Sequence, residues 1–133
     1  MQRRKFIQLS AIGSAAIGIT GTGCRHGHPT FYNILINPGQ LSQICDLKTI
    51  REIGMAYRLQ NVSENDADKL IALLSSDSAG NPVSSDSDSL FIQSLLNQKI
   101  KQDFERGNIV MVKGWILSVT EARQSALLSI NNQ

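Results

Sequence analysis

The stretch Asp103-Phe104-Glu105-Arg106-Gly107-Asn108-Ile109-Val110-Met111-Val112-Lys113-Gly114-Trp115-Ile116-Leu117-Ser118-Val119-Thr120-Glu121-Ala122-Arg123 carries the chain's densest run of structural signals. Gly107 is a good helix stop, because glycine enters the left-handed conformation without a Cβ clash. Ile109-Val110-Met111-Val112 is apolar and largely β-branched, which predicts a short extended piece. Ser118 with Glu121 three residues later is a capping box, so a last helix starts there and continues through Ala122, Ala126, Leu127 and Ile130. Helix, brief extension, helix is the expected order.

Upstream, Phe91, Ile92, Leu95, Leu96, Ile100 and Phe104 recur at helical spacing and predict a helix from Ser89 to Arg106. Before it lies a loop over 76–89, rich in Ser, Asp, Asn and Gly. Its Asp86-Ser87-Asp88 lacks the glycine and final glutamate of a hand-like calcium loop, so a solvated linker is expected. Leu70, Ile71, Leu73 and Leu74 predict a helix introduced by Ser63 and Asp66. A further helix is expected from Gln40 to Leu59, with Cys45 as a small core residue on its apolar face. Phe31–Ile36 reads as a short strand or a docking segment, closed by the turn Asn37-Pro38-Gly39. The expected fold is therefore all-α: a small bundle of about four helices with one short extended segment. That helical domain occupies 39–133, after a tether over 24–38 and a cleavable signal over 1–23.

The chain has 133 residues, 41% of them apolar and 18% charged, which suits a single globular domain. Its formal charge of +2 includes Arg3, Arg4 and Lys5, so the part beyond the signal is close to neutral. The other basic residues are scattered and form no stripe able to neutralise phosphates, which argues against nucleic acid as a partner.

Arg3-Arg4-Lys5-Phe6 precedes a mild apolar stretch over 9–19, in the order of a signal peptide. That stretch is shorter and less apolar than a membrane span of about twenty residues requires. It resembles twin-arginine signals, with Arg3, Arg4 and Phe6 in the recognition positions and Gln2, Ile7 and Gln8 departing from the family's serine, leucine and lysine. The resemblance implies engagement by the twin-arginine export machinery and a periplasmic or exported location. Gly21-Thr22-Gly23-Cys24 resembles a lipobox, although Gly21 stands where leucine is usual and ordinary cleavage fits equally. Acylated Cys24 would make the chain a lipoprotein tethered to the membrane by lipid chains. A disulfide between Cys24 and Cys45 is the remaining option in an oxidising compartment.

No catalytic constellation is visible. His26 and His28 are the only histidines, and both lie in the tether, so triad chemistry has no base. With Cys24 they supply too few ligands on too loose a segment for a closed metal site. Neither usual phosphate-cradling glycine loop occurs. The expectation is a protein with no cofactor, for which a non-catalytic role is favoured over an enzymatic one. Trp115, the only tryptophan, reads either as core filler or as an interface anchor, with Arg123 and Glu121 beside it on a possible partner surface and Glu121 also able to serve as a cap.

The signal together with Gly114-Trp115-Ile116-Leu117-Ser118-Val119-Thr120-Glu121-Ala122-Arg123 resembles the small exported subunits that accompany flavin-dependent dehydrogenases of sugars and alcohols, such as gluconate and sorbitol dehydrogenases. The resemblance implies a non-catalytic accessory subunit that assists maturation or export of a larger periplasmic oxidoreductase. A stand-alone periplasmic lipoprotein that binds a protein or small ligand is the alternative.

Overall fold

A computed structural model describes residues 31–131. The proposed signal residues Arg3, Arg4 and Phe6, and Cys24, His26 and His28, lie outside the described residues. In chain order the elements are α1 (Phe31–Leu35), a 3-10 turn (Leu41–Gln43), α2 (Leu47–Gln60), a second 3-10 turn (Val62–Glu64), α3 (Ala67–Leu74), α4 (Ser89–Arg106), β1 (Ile109–Val112), β2 (Trp115–Ser118) and α5 (Val119–Asn131).

The all-α expectation is overturned. Five helices accompany a two-stranded antiparallel sheet among the described residues, so the domain is mixed α and β. The strand at Ile109–Val112 was expected; its partner was not. Val112 pairs with Trp115 and Ile109 with Ser118, closing a hairpin through Lys113-Gly114. Both turn residues have positive φ, 50° and 84°. That is the handedness of a type I′ turn, whose twist matches that of the flanking strands. Lys-Gly is a weaker hairpin signal than Asn-Gly, and lysine is uncommon at positive φ, which hid the turn in the sequence.

Two other boundaries shift. Phe31–Leu35 is a helix rather than a strand, because its burial against α4, with Ile34 and Leu35 in the core, outweighs the β preference of its residues. The long helix expected from Gln40 starts only at Leu47. Asp46 takes the N-cap with extended backbone and accepts a hydrogen bond from Thr49 N at 2.9 Å, leaving Ile44 in the preceding loop, 70% exposed. Cys45 sits there as a free, half-buried thiol against the core's edge. Burial raises its pKa, with the Asp46 charge adding to the effect.

The remaining ends follow the sequence. Asp66, rather than Ser63, caps α3 by accepting from Lys69 N, and Asp88 caps α4 by accepting from Leu90 N. Gly107 closes α4 at φ 77° in a Schellman motif, with Asn108 N donating to Asp103 O at 2.8 Å. The 75–88 segment is built rather than loose: Ala79 N and Asn81 N both donate to Asp77 Oδ1, and Val83 N donates to Ser75 O at 2.7 Å.

The core gathers around α5. Ala122, Ala126 and Leu127 are fully enclosed, as are its polar residues Thr120, Gln124 and Ser125. The α2 helix supplies Ile50, Ile53 and Tyr57 against it, while Leu70, Leu74, Ile92 and Leu96 come from α3 and α4. At Gly54 the α2 backbone approaches α5 so closely that a Cβ would overlap Ser125 O and lie 2.9 Å from Ala126 N. A backbone atom cannot swing aside as a side-chain tip can. Gly54→Ala is therefore expected to lower unfolding free energy by about 2–3 kcal/mol. Urea denaturation monitored by circular dichroism measures this, and an unchanged midpoint would contradict the close crossing.

Candidate functional site

The hairpin has two unlike faces. Cross-strand partners share a face, so Val110 with Leu117 and Val112 with Trp115 point inward, whereas Met111 with Ile116 point outward. Val112 and Leu117 are buried, but Met111 is 64% and Ile116 58% exposed. Ile116 continues into a shallow groove of about 410 Å³ that it lines together with Ile44, Leu41, Phe104 and Trp115. Phe104 is half-exposed there. Large apolar side chains left in water side by side would gain stabilisation on being covered.

Trp115 stands between the two readings the sequence left open. It is half-buried, packs on the core cluster with its strand's inner face, and presents its remaining surface to the groove. Glu121 lines the same groove but is held as a cap: Ser118 N donates to its Oε1, and Glu121 N donates to Ser118 Oγ, both at 3.0 Å. These reciprocal bonds are the expected capping box. Thr120 N donates to Asp103 Oδ2 at 2.8 Å, so α4 also caps the start of α5. The hairpin thus projects from a joint closed at both ends by hydrogen bonds.

Arg123 faces another way. Its Nε and Nη2 donate to Glu64 Oε1 and Oε2 at 2.9 and 3.0 Å, a bidentate pair to which Tyr57 Oη adds a third bond at 2.8 Å. The hydrogen bonds from Arg123 and then Tyr57 hold the Glu64 carboxyl below its ordinary value of 4.5, against the opposing effect of burial. Burial first, and the Glu64 carboxylate second, push the Tyr57 hydroxyl up to about 12. This triad joins α2, the Val62–Glu64 turn and α5, and neither Tyr57 nor Glu64 was singled out in the sequence. Their contact is set by folding, with Arg123 lying far along the chain from both.

Lys99 is a second internal cation. Its Nζ donates to Leu73 O at 2.7 Å, Ser76 O at 3.0 Å and Leu74 O at 3.3 Å, closing the carbonyl end of α3. Burial pulls its pKa down to about 8. Lys99, Asp103 and Arg123 line a small cleft of about 210 Å³, but all three are occupied by these internal bonds.

Among the described residues no group of three His, Cys, Asp or Glu side chains is placed to hold a metal ion, and no helix is long and apolar enough to cross a membrane. Comparison with protein-family profiles, curated proteins and solved structures finds no match to this chain.

The depressed Glu64 pKa sets a pH dependence. The carboxylate's contribution is complete above about pH 4.5 and disappears as pH falls through its lower folded-state value, because the unfolded chain then binds more protons. Glu64→Gln should cost about 1–2 kcal/mol at pH 7 and flatten the stability profile below pH 4.5. Denaturant titrations of both proteins between pH 3 and 7, about the range in which carboxyls titrate, test this; parallel profiles would show that the triad contributes nothing.

Proposed function

We propose that the domain is an exported, non-catalytic accessory subunit that docks onto a larger periplasmic flavin-dependent oxidoreductase and assists its maturation or export. The supporting observation is the exposed apolar surface formed by Ile116, Phe104 and Ile44 around Trp115, with Met111 beside Ile116 on the outer face of the hairpin. Two of its residues, Trp115 and Ile116, fall in the segment 114–123 through which the chain resembles small dehydrogenase subunits. A two-stranded sheet with a wet apolar outer face gains from being covered, and the hydrogen-bonded joint beneath it supplies a rigid base.

Twin-arginine export carries folded cargo, by the resemblance of the signal at Arg3, Arg4 and Phe6. A docked enzyme already loaded with its cofactor gives that route its purpose. Cys24, if acylated, would keep the pair at the membrane. Trp115 anchors the docking surface, while Glu121 and Arg123 act from within by fixing α5 and the hairpin.

The chain, tagged at its C-terminus and purified from its own periplasm and membranes, should bring down a stoichiometric flavoprotein that lacks a signal of its own. Met111→Ser combined with Ile116→Ser should abolish that co-purification without lowering the melting temperature, since both side chains are exposed. A wild-type protein recovered as a monomer with no flavin absorbance would overturn the proposal.

A further inference from the structure

A different part of the surface is lined by carboxamides. Where α1 packs on α4 there is a cleft of about 400 Å³ whose polar lining is Asn33, Asn37, Gln93, Asn97 and Gln124. The rest of the wall is aliphatic or glycine, and no charged side chain takes part. A volume near 400 Å³ lies within the range of sites for small ligands. Phosphates and carboxylates find no cation there, and cations find no carboxylate.

Two of the carboxamides are regularly placed. Gln93 and Asn97 stand one turn apart on α4, while Asn33 lies on α1 and Asn37 two residues beyond its end, where Asn37 N still donates to Ile34 O. Four helical residues rise about 6 Å. In an extended chain, groups facing the same way repeat at about 6.6 Å, so a row with the α4 spacing can meet every second peptide unit of one strand. A carboxamide offers one carbonyl acceptor and an N–H donor, the same pair a peptide unit offers.

The floor carries an independent sign of an incomplete site. Gln124 projects from α5 and is only 1% exposed; its Nε2 donates to Asn37 O at 3.1 Å, but its Oε1 is buried without a donor. Buried polar atoms are seldom left in that condition. A donor entering the cleft would complete it.

We propose that this cleft binds a short, extended, uncharged peptide segment, held by the carboxamides and satisfying Gln124 Oε1 through one of its N–H groups. The proposal does not depend on docking through the hairpin. The two surfaces adjoin, since Gly39 lines the cleft while Gln40 and Leu41 line the hairpin groove. One partner could therefore engage both.

The test is a screen of the purified full chain against two libraries of N-acetylated, C-amidated hexapeptides, one of uncharged residues and one also containing Asp, Glu, Lys and Arg, with maltose as a neutral polyol probe. Uncharged peptides should be retained and bind one to one in calorimetry. Gln93→Ala with Asn97→Ala should weaken them at least tenfold while leaving the melting temperature unchanged, because both side chains are exposed. Met111→Ser with Ile116→Ser should leave them unaffected, which separates this site from the docking surface. Retention of no uncharged peptide, equal binding by the Gln93/Asn97 variant, or binding of maltose alone would overturn the proposal.

Discussion

The approach of α2 to α5 at Gly54 is the constraint from which the rest of the domain follows. Glycine on one side, and Ser125 and Ala126 on the other, bring the backbones closer than ordinary side chains permit. That proximity puts Ile50, Ile53 and Tyr57 of α2 directly on α5 and leaves α3 and α4 to close its remaining sides. The result is a central helix enclosed on nearly every face, although its sequence contains slightly more polar than apolar residues. Burial of those polar groups is tolerable because most are bonded within the domain: Ser125 Oγ donates to Glu121 O, Ser129 Oγ to Ala126 O, and Glu121 completes its own helix cap. Gln124 Oε1 stands out against that pattern.

The start of α5 also determines what the domain offers to its surroundings. Asp103 accepts from Asn108 N through its backbone and from Thr120 N through its side chain, so one residue of α4 holds both ends of the intervening hairpin. A hairpin alone in water is marginal, and this one is stabilised by the joint and by Val112 and Leu117 beneath it. Its outer apolar face is therefore presented in a defined orientation. The same joint uses Glu121 as a cap, so the acidic residue of the resembling segment supports the surface from inside.

Charge has a structural part as well. Glu64 is bonded by both Arg123 and Tyr57, and the fork joins elements that no local interaction would bring together. Lys99 does similar work for α3 by closing the carbonyls at its end, where Ser76 Oγ also donates to Leu73 O. The cations and anions that looked available along the chain are in these cases internal braces, which leaves the uncharged surfaces, the hairpin face and the carboxamide cleft, as the places where another molecule can gain most.

Local chemistry determined much of this by sequence alone. The helix from Ser89 to Arg106, its stop at Gly107, the extended Ile109–Val112 and the Ser118–Glu121 capping box each depend on residues within a few positions of one another, so their energetics are written in the local order. The neighbourhood of Trp115 was also legible, as a tryptophan after a glycine and before a capped helix. The second strand was not, because β2 exists only when Lys113 accepts positive φ and the pairing with β1 is made. Nor was helical α1, whose β-prone residues become helical when Ile34 and Leu35 find α4. The Glu64–Arg123 fork, the crossing at Gly54 and the convergence of carboxamides from α1, α4 and α5 required the tertiary structure, since each joins residues whose separation along the chain carries no local signal and whose contact is decided by how the helices pack.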